Sequence, residues 1–180
     1  MWRRERMPSA ATQPSEGPRA ERTWGRWTLR HVGTLEPDRT PHGEVVEFTP
    51  QDRYENRARF ALHGWGAGPF CRFRVPGAPA VEGVYILTSE GEVRYVGEAV
   101  SLRDRWGLAG YGSIQPRNCF TGGQPTNCKV NSLVLRSVQA GRQLDLYFVE
   151  VEDRKAVEAE LIGQLGPPWN GRVDPRSVRL

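Results

Sequence analysis

Tyr85, Tyr95 and Glu158 are the residues of this sequence whose types and surroundings could do chemistry. Tyr85 closes the run Gly83-Val84-Tyr85 and Tyr95 opens Tyr95-Val96-Gly97, so each phenol sits in a β-branched, strand-like setting near a glycine. On their own the two runs read equally as ordinary strand fragments with half-buried aromatics. Glu158 is more demanding. At about 100° per residue, it falls inside the apolar arc formed by Val157, Leu161, Ile162 and Leu165, whereas Glu160 falls outside it and is expected in solvent. A carboxylate on a buried stripe costs free energy unless it is paired, hydrogen-bonded or bound to a metal. Metal ligation and an ion pair with one of the many arginines therefore stand as its two readings.

The elements that must position these groups follow from local pattern. Val84 to Leu87 favours a strand, Ser89-Glu90-Gly91-Glu92 supplies a turn, and Val93 to Val96 returns, which makes a hairpin carrying both tyrosines. Ser101 caps a helix through Leu102-Arg103-Asp104-Arg105-Trp106, and Gly107, Gly110 and Gly112 end it. A polar loop spans Tyr111 to Asn131, and a second helix runs from Asn131 or Ser132 to Gly141. Gln143 to Val151 alternates as a third strand, and Asp153 caps a last helix reaching Gln164 before Gly166-Pro167-Pro168.

At 180 residues the chain has room for one domain with a core and an appendage. Its formal charge of +4 sits in residues 1–30, which carry seven arginines against three glutamates. Residues 1–22 lack apolar periodicity and read as a disordered basic tail, residues 23–79 as an accessory N-terminal region, 80–172 as the compact unit and 173–180 as a C-terminal tail. Within the accessory region, Thr49 to Leu62 is expected as a short helix and Phe70 to Val75 as a half-exposed strand. No apolar run follows Met1, and Cys71, Cys119 and Cys128 form neither a CxxC pair nor an even set. A reduced, cytoplasmic protein without a membrane span is the expectation.

Taken together, Gly83 to Asn170 resembles the GIY-YIG nuclease superfamily. Gly83-Val84-Tyr85 stands for the first motif and Tyr95-Val96-Gly97 for the second. The family arginine on the following helix corresponds to Arg105, the metal-binding glutamate to Glu158 in Glu158-Ala-Glu-Leu-Ile162, and the asparagine to Asn170 in Pro167-Pro168-Trp169-Asn170. Helical periodicity does not separate Arg103 from Arg105; the resemblance selects Arg105. Two positions depart from the pattern. Glu98 stands where many members carry a lysine, reversing a charge or adding a second metal ligand, and Ala109 stands where many carry His or Tyr, with Tyr111 the nearest substitute.

The resemblance implies an α+β fold with a small three-stranded antiparallel sheet flanked by helices, and a metal-dependent DNA endonuclease. Tyr85 would be the general base, Tyr95 its positioning partner, Arg105 the phosphate-binding cation, Glu158 the ligand of a single Mg²⁺ or Mn²⁺, and Asn170 an ordering residue. A free phenol ionises near pH 10, at about its reference pKa, so Tyr85 needs a nearby cation or a metal-bound hydroxide to act. Arg103 and, from the polar loop, Arg117, Asn118, Asn127 and Lys129 are candidate DNA contacts, with Gln124 and Asn131 beside them; the other reading of that loop is a self-packed one filled by Cys119 and Cys128. The alternative function is a catalytically weak or inactive nucleic-acid-binding module on the same fold. A restriction-type double-strand cut would call for a homodimer.

Overall fold

The turn at Glu90-Gly91 fixes the register on which the site depends. Both residues take positive φ, 52° and 83°, the backbone of a two-residue hairpin turn whose twist matches its strands. In the computed structural model, which describes residues 20–175, this turn joins β7 (Gly83–Ser89) to β8 (Glu92–Ala99). Tyr85 pairs with Gly97, and Leu87 with Tyr95. The two phenols are thus diagonal neighbours on one face, with ring centroids 6.2 Å apart.

On its other side β7 pairs antiparallel with β9 (Leu144–Glu150), Tyr85 lying opposite Phe148. The sheet does not stop there. From the N-terminal region, β2 (Trp27–Thr34) pairs with β9, and β1 (Glu21–Trp24) pairs with β2, giving five antiparallel strands in the order β1-β2-β9-β7-β8. The expected three-stranded sheet, β9-β7-β8, is therefore one end of a larger one, and Trp24, Leu29, Val32, Phe73 and Val75 of residues 23–79 share its core instead of standing apart. The physical reason is the free edge of β9, which Leu29 and Val32, both buried, cover as β2 docks. Glu21 and Arg22, assigned from sequence to the tail, belong to β1; residues 1–19, and 176–180 of the C-terminal tail, lie outside the described residues.

Two further expectations change. The helix read over Thr49 to Leu62 reduces to one 3-10 turn, Pro50–Arg53, without a side-chain cap from Thr49. Residues 55–62 are all exposed, so that segment has no apolar face to bury. The strand read over Phe70 to Val75 divides into β5 (Phe70–Cys71), paired with β4 (Glu47–Phe48), and β6 (Phe73–Arg74), paired with β3 (Glu36–Pro37). Phe70, Cys71, Phe73 and Val75 are buried, and Arg72 and Arg74 are exposed.

Helix α1 (Leu102–Trp106) begins at Ser101, whose Oγ accepts from the Asp104 backbone N–H at 3.3 Å. Helix α2 (Pro125–Gln139) starts earlier than expected, with proline in its first turn, and takes Asn127, Lys129 and Asn131 out of the loop. Helix α3 (Arg154–Leu165) ends at Gly166 in the left-handed region, with φ 55°. Strand alternation divides the core. Tyr85, Leu87, Tyr95 and Phe148 face α1 and α2, while Val84, Ile86, Val96 and Tyr147 face Val157 and Leu161 of α3. A smaller cluster of Phe70, Ile114, Cys119, Phe120 and Cys128 fills the loop, which is the self-packed arrangement.

Asn131 joins these layers. Fully buried, it donates from Nδ2 to the carbonyls of Cys71 (2.8 Å) and Tyr111 (2.7 Å) and accepts from the Cys71 N–H (3.0 Å). It is thus a structural tie and not a DNA contact. Asn131→Ala strands three buried backbone groups, and a loss of about 2–4 kcal/mol in urea unfolding is expected; a loss below about 1 kcal/mol would mean that these groups find other partners.

Candidate active site

The side chains meet where β7, β8, α1, α3 and the loop after α1 converge. Tyr85, 1% exposed, donates its hydroxyl to the Tyr111 hydroxyl at 3.3 Å, and the Tyr95 and Tyr111 hydroxyls are also 3.3 Å apart. Tyr111 is therefore the junction of three buried phenols. Its backbone N–H donates to the Arg105 carbonyl at 2.8 Å, and the Asn131 amide holds its carbonyl. Trp106 stands edge-on to Tyr85 (5.4 Å) and Tyr111 (5.3 Å) and locks both rings. Gly97 completes the packing, because a Cβ there would collide with the Tyr85 hydroxyl.

Arg105 lies over the Tyr111 ring, 5.5 Å from its centroid, and Arg103 turns the other way, its Nε donating to the Ala78 carbonyl at 3.4 Å. This separates the two arginines that periodicity left equivalent. Burial alone would weaken the charge on Arg105; the surrounding Tyr111, Tyr85 and Glu98 outweigh it and raise its pKa.

Glu158 is half-buried on α3. Its pKa is raised first by burial and then by the carboxylate of Glu98, opposed by a hydrogen bond from the Glu98 backbone and by Arg105. Its charge also disfavours ionisation of the Tyr95 phenol. Glu160, expected in solvent, instead pairs with Arg26 at 2.8 Å on a partly exposed surface. Glu98 is held away from solvent by Arg154, a residue that no sequence motif marks. The Arg154 Nε bonds Glu98 Oε2 at 2.6 Å and its other arm bonds Glu82 Oε2 at 2.6 Å. The only sequence signal for this pairing is the basic residue opening α3, four positions before Glu158.

Asn170 does not join the phenol cluster. Its side chain bonds the backbone of Val96, accepting from the N–H at 2.9 Å and donating to the carbonyl at 2.7 Å. The candidate DNA contacts are also engaged elsewhere. Arg117 stacks over Phe60 at 4.8 Å and donates to the Thr121 carbonyl at 2.9 Å. Asn118 bonds the His63 ring at 2.6 Å through its backbone carbonyl and not its side chain, the buried Asn127 donates to the Gln124 side chain at 2.8 Å, and Lys129 donates to the Gly171 carbonyl at 2.7 Å. The structure thus gathers Tyr85, Tyr95, Arg105, Tyr111, Glu98 and Glu158, and leaves Arg103, Arg117, Asn118, Asn127 and Lys129 outside that group.

Among the described residues, no three His, Cys, Asp or Glu side chains gather as a ready-made metal cage, and no helix is long and apolar enough to cross a membrane. A metal at Glu158 would therefore take water for most of its ligands, a coordination habit of Mg²⁺.

No family model matches the chain, and no curated protein does. Among solved structures, it is similar to two crystal structures of the GIY-YIG N-terminal endonuclease domain of UvrC from Thermotoga maritima. Both are Tyr-to-Phe point mutants bound to the catalytic divalent cation. The identities are 23% and 25%, with TM-scores of 0.34 and 0.33, and each comparison covers 53% of this chain and 88% of that domain.

Proposed function

We propose that this chain is a divalent-metal-dependent DNA endonuclease that hydrolyses phosphodiester bonds, with Tyr85, Arg105 and Glu158 at its centre. The observation that carries this reading is the meeting of three buried phenols, a guanidinium and a half-buried carboxylate from five separate segments. Phosphodiester hydrolysis needs a proton acceptor for water, positive charge on the phosphate, and help for the leaving oxygen. Arg105 offers a planar fork for two phosphate oxygens. Glu158 would hold Mg²⁺ or Mn²⁺: burial penalises its charge and Arg105 relieves it in part, an environment that suits a hard cation. When bound, that ion supplies Lewis-acid stabilisation of the leaving oxygen.

Tyr85 is a neutral phenol in the free protein. Burial first, then Tyr111 and Tyr95, push its pKa well above the ordinary value, and Arg105 is the cation that the chain itself sets against them. To take a proton from water, Tyr85 must first pass its own to hydroxide from solvent; the Tyr111 hydroxyl can then rotate its hydrogen to donate toward the phenolate. Tyr95 serves to hold Tyr111 in place from the neighbouring strand.

Supercoiled plasmid incubated with Mn²⁺ is expected to be nicked or linearised, and EDTA to stop it. Arg105→Ala and Glu158→Ala should each slow cleavage by about 100-fold or more, and Tyr85→Phe by about 100-fold. Wild-type protein that binds DNA and leaves supercoiled, linear and branched forms intact would favour the non-cleaving module.

The buried phenols also make a pH test independent of cleavage. Their folded pKa values are raised, so as pH rises through about 10 the unfolded chain loses tyrosine protons that the folded chain retains. The unfolded state then binds fewer protons, and stability falls from there upward. Urea midpoints should drop between about pH 9 and pH 11, less steeply in Tyr85→Phe. Equal slopes in both proteins would contradict the neutral-phenol assignment.

A further inference from the structure

Arg154 stands beside the proposed site and the reaction does not use it. It opens α3 one turn before Glu158 and places its two arms on two carboxylates, Glu98 and Glu82, at 2.6 Å each. Its side chain and that of Glu98 are only 23% and 22% exposed, so the pair is shielded by more than surface contact. Glu98 is also the acidic neighbour felt by both Glu158 and Arg105. It therefore acts on both the proposed metal ligand and the proposed phosphate ligand, and its backbone bonds the Glu158 carboxylate. Three carboxylates, Glu82, Glu98 and Glu158, stand against two guanidiniums, Arg105 and Arg154.

We propose that Arg154 is a positioning residue: by neutralising and holding Glu98, it keeps that carboxylate from serving as a second metal ligand and from repelling the DNA phosphate. The inference rests on the reading of Glu158 as the metal ligand. The ion pair is a clamp that masks the Glu98 charge, so that opening it from either side moves metal affinity and phosphate affinity in opposite directions. Without Arg154, an unpaired Glu98 strengthens the attraction for a divalent cation and weakens that for DNA. Without the Glu98 charge, an unpaired Arg154 does the reverse. A residue that served only to anchor the start of α3 would lower both affinities together.

Two measurements test the clamp without cleavage: Mn²⁺ binding to the apo protein by calorimetry, and duplex DNA binding in EDTA by fluorescence anisotropy. Arg154→Ala is expected to tighten Mn²⁺ about threefold or more and to weaken duplex binding by a similar factor. Glu98→Gln is expected to do the opposite. The double variant should return both to within about twofold of wild type, and Arg154→Lys, which keeps the charge, should stay near wild type for Mn²⁺. Should Arg154→Ala unfold, Glu98→Gln and Arg154→Lys still decide. Changes of the same sign in the two assays, or no change in Glu98→Gln, overturn the clamp and leave the nuclease reading standing. Wild-type protein that binds no Mn²⁺ overturns the metal reading and the clamp with it.

Discussion

Three phenols buried in one place must satisfy one another's hydroxyls, because each polar atom removed from water without a partner costs free energy. Tyr111 is the point where this happens. Tyr85 and Tyr95 arrive on neighbouring strands with their register set by the hairpin, and both reach the Tyr111 hydroxyl at 3.3 Å. The tyrosine backbone is in turn fixed to Arg105 on one side and to Asn131 on the other. Sheet, α1 and α2 thus share one small polar junction inside an apolar core, and the guanidinium above it takes its position from the same ring.

The carboxylates approach from the opposite layer. Val157 and Leu161 seat α3 on the face of the sheet that holds Val84, Ile86 and Val96, while the phenols face the other way. Glu158 reaches the cluster from α3 beside the outer strand β8, where Tyr95 and Glu98 lie. The phenols, on the hairpin strands and the loop after α1, and the group that would hold the metal, on α3, thereby come from different layers.

How much of this was legible in the sequence depended on how local the cause was. The hairpin could be read because its turn residues and β-branched strands are contiguous, and Glu158 stood out against Glu160 because a helix converts spacing into a face. Tyr111 emerged only as a substitute for a missing side chain at Ala109, since nothing local says where a loop residue will point. Helix α2 extends further than its pattern suggests: Asn127 and Asn131 look like loop residues until the helix buries them, Asn127 against the Gln124 side chain and Asn131 against backbone groups. The membership of β1 and β2 in the main sheet has no local sign, because β2 pairs with β9 over a hundred residues away, β1 joins only through β2, and edge pairing leaves no periodic mark. Arg154 was hidden for the same reason. Its partners Glu82 and Glu98 are distant in sequence, and one arginine among many carries no signal.

Asn170 occupies a different kind of position. β8 is the last strand of the sheet, and an outer strand offers a row of backbone donors and acceptors to any passing chain. The Asn170 amide takes both groups of Val96, and the Trp169 N–H takes the carbonyl of Arg94. Two residues from a non-strand segment thus imitate a sixth strand for the length of one residue pair and go no further. The margin beside the phenols is closed to strand addition at its middle, so a second copy or a misfolded neighbour could extend the sheet there only by first displacing Asn170. The outer margin at β1, far along the sheet from the phenols, is left as the place where such growth would not touch the site.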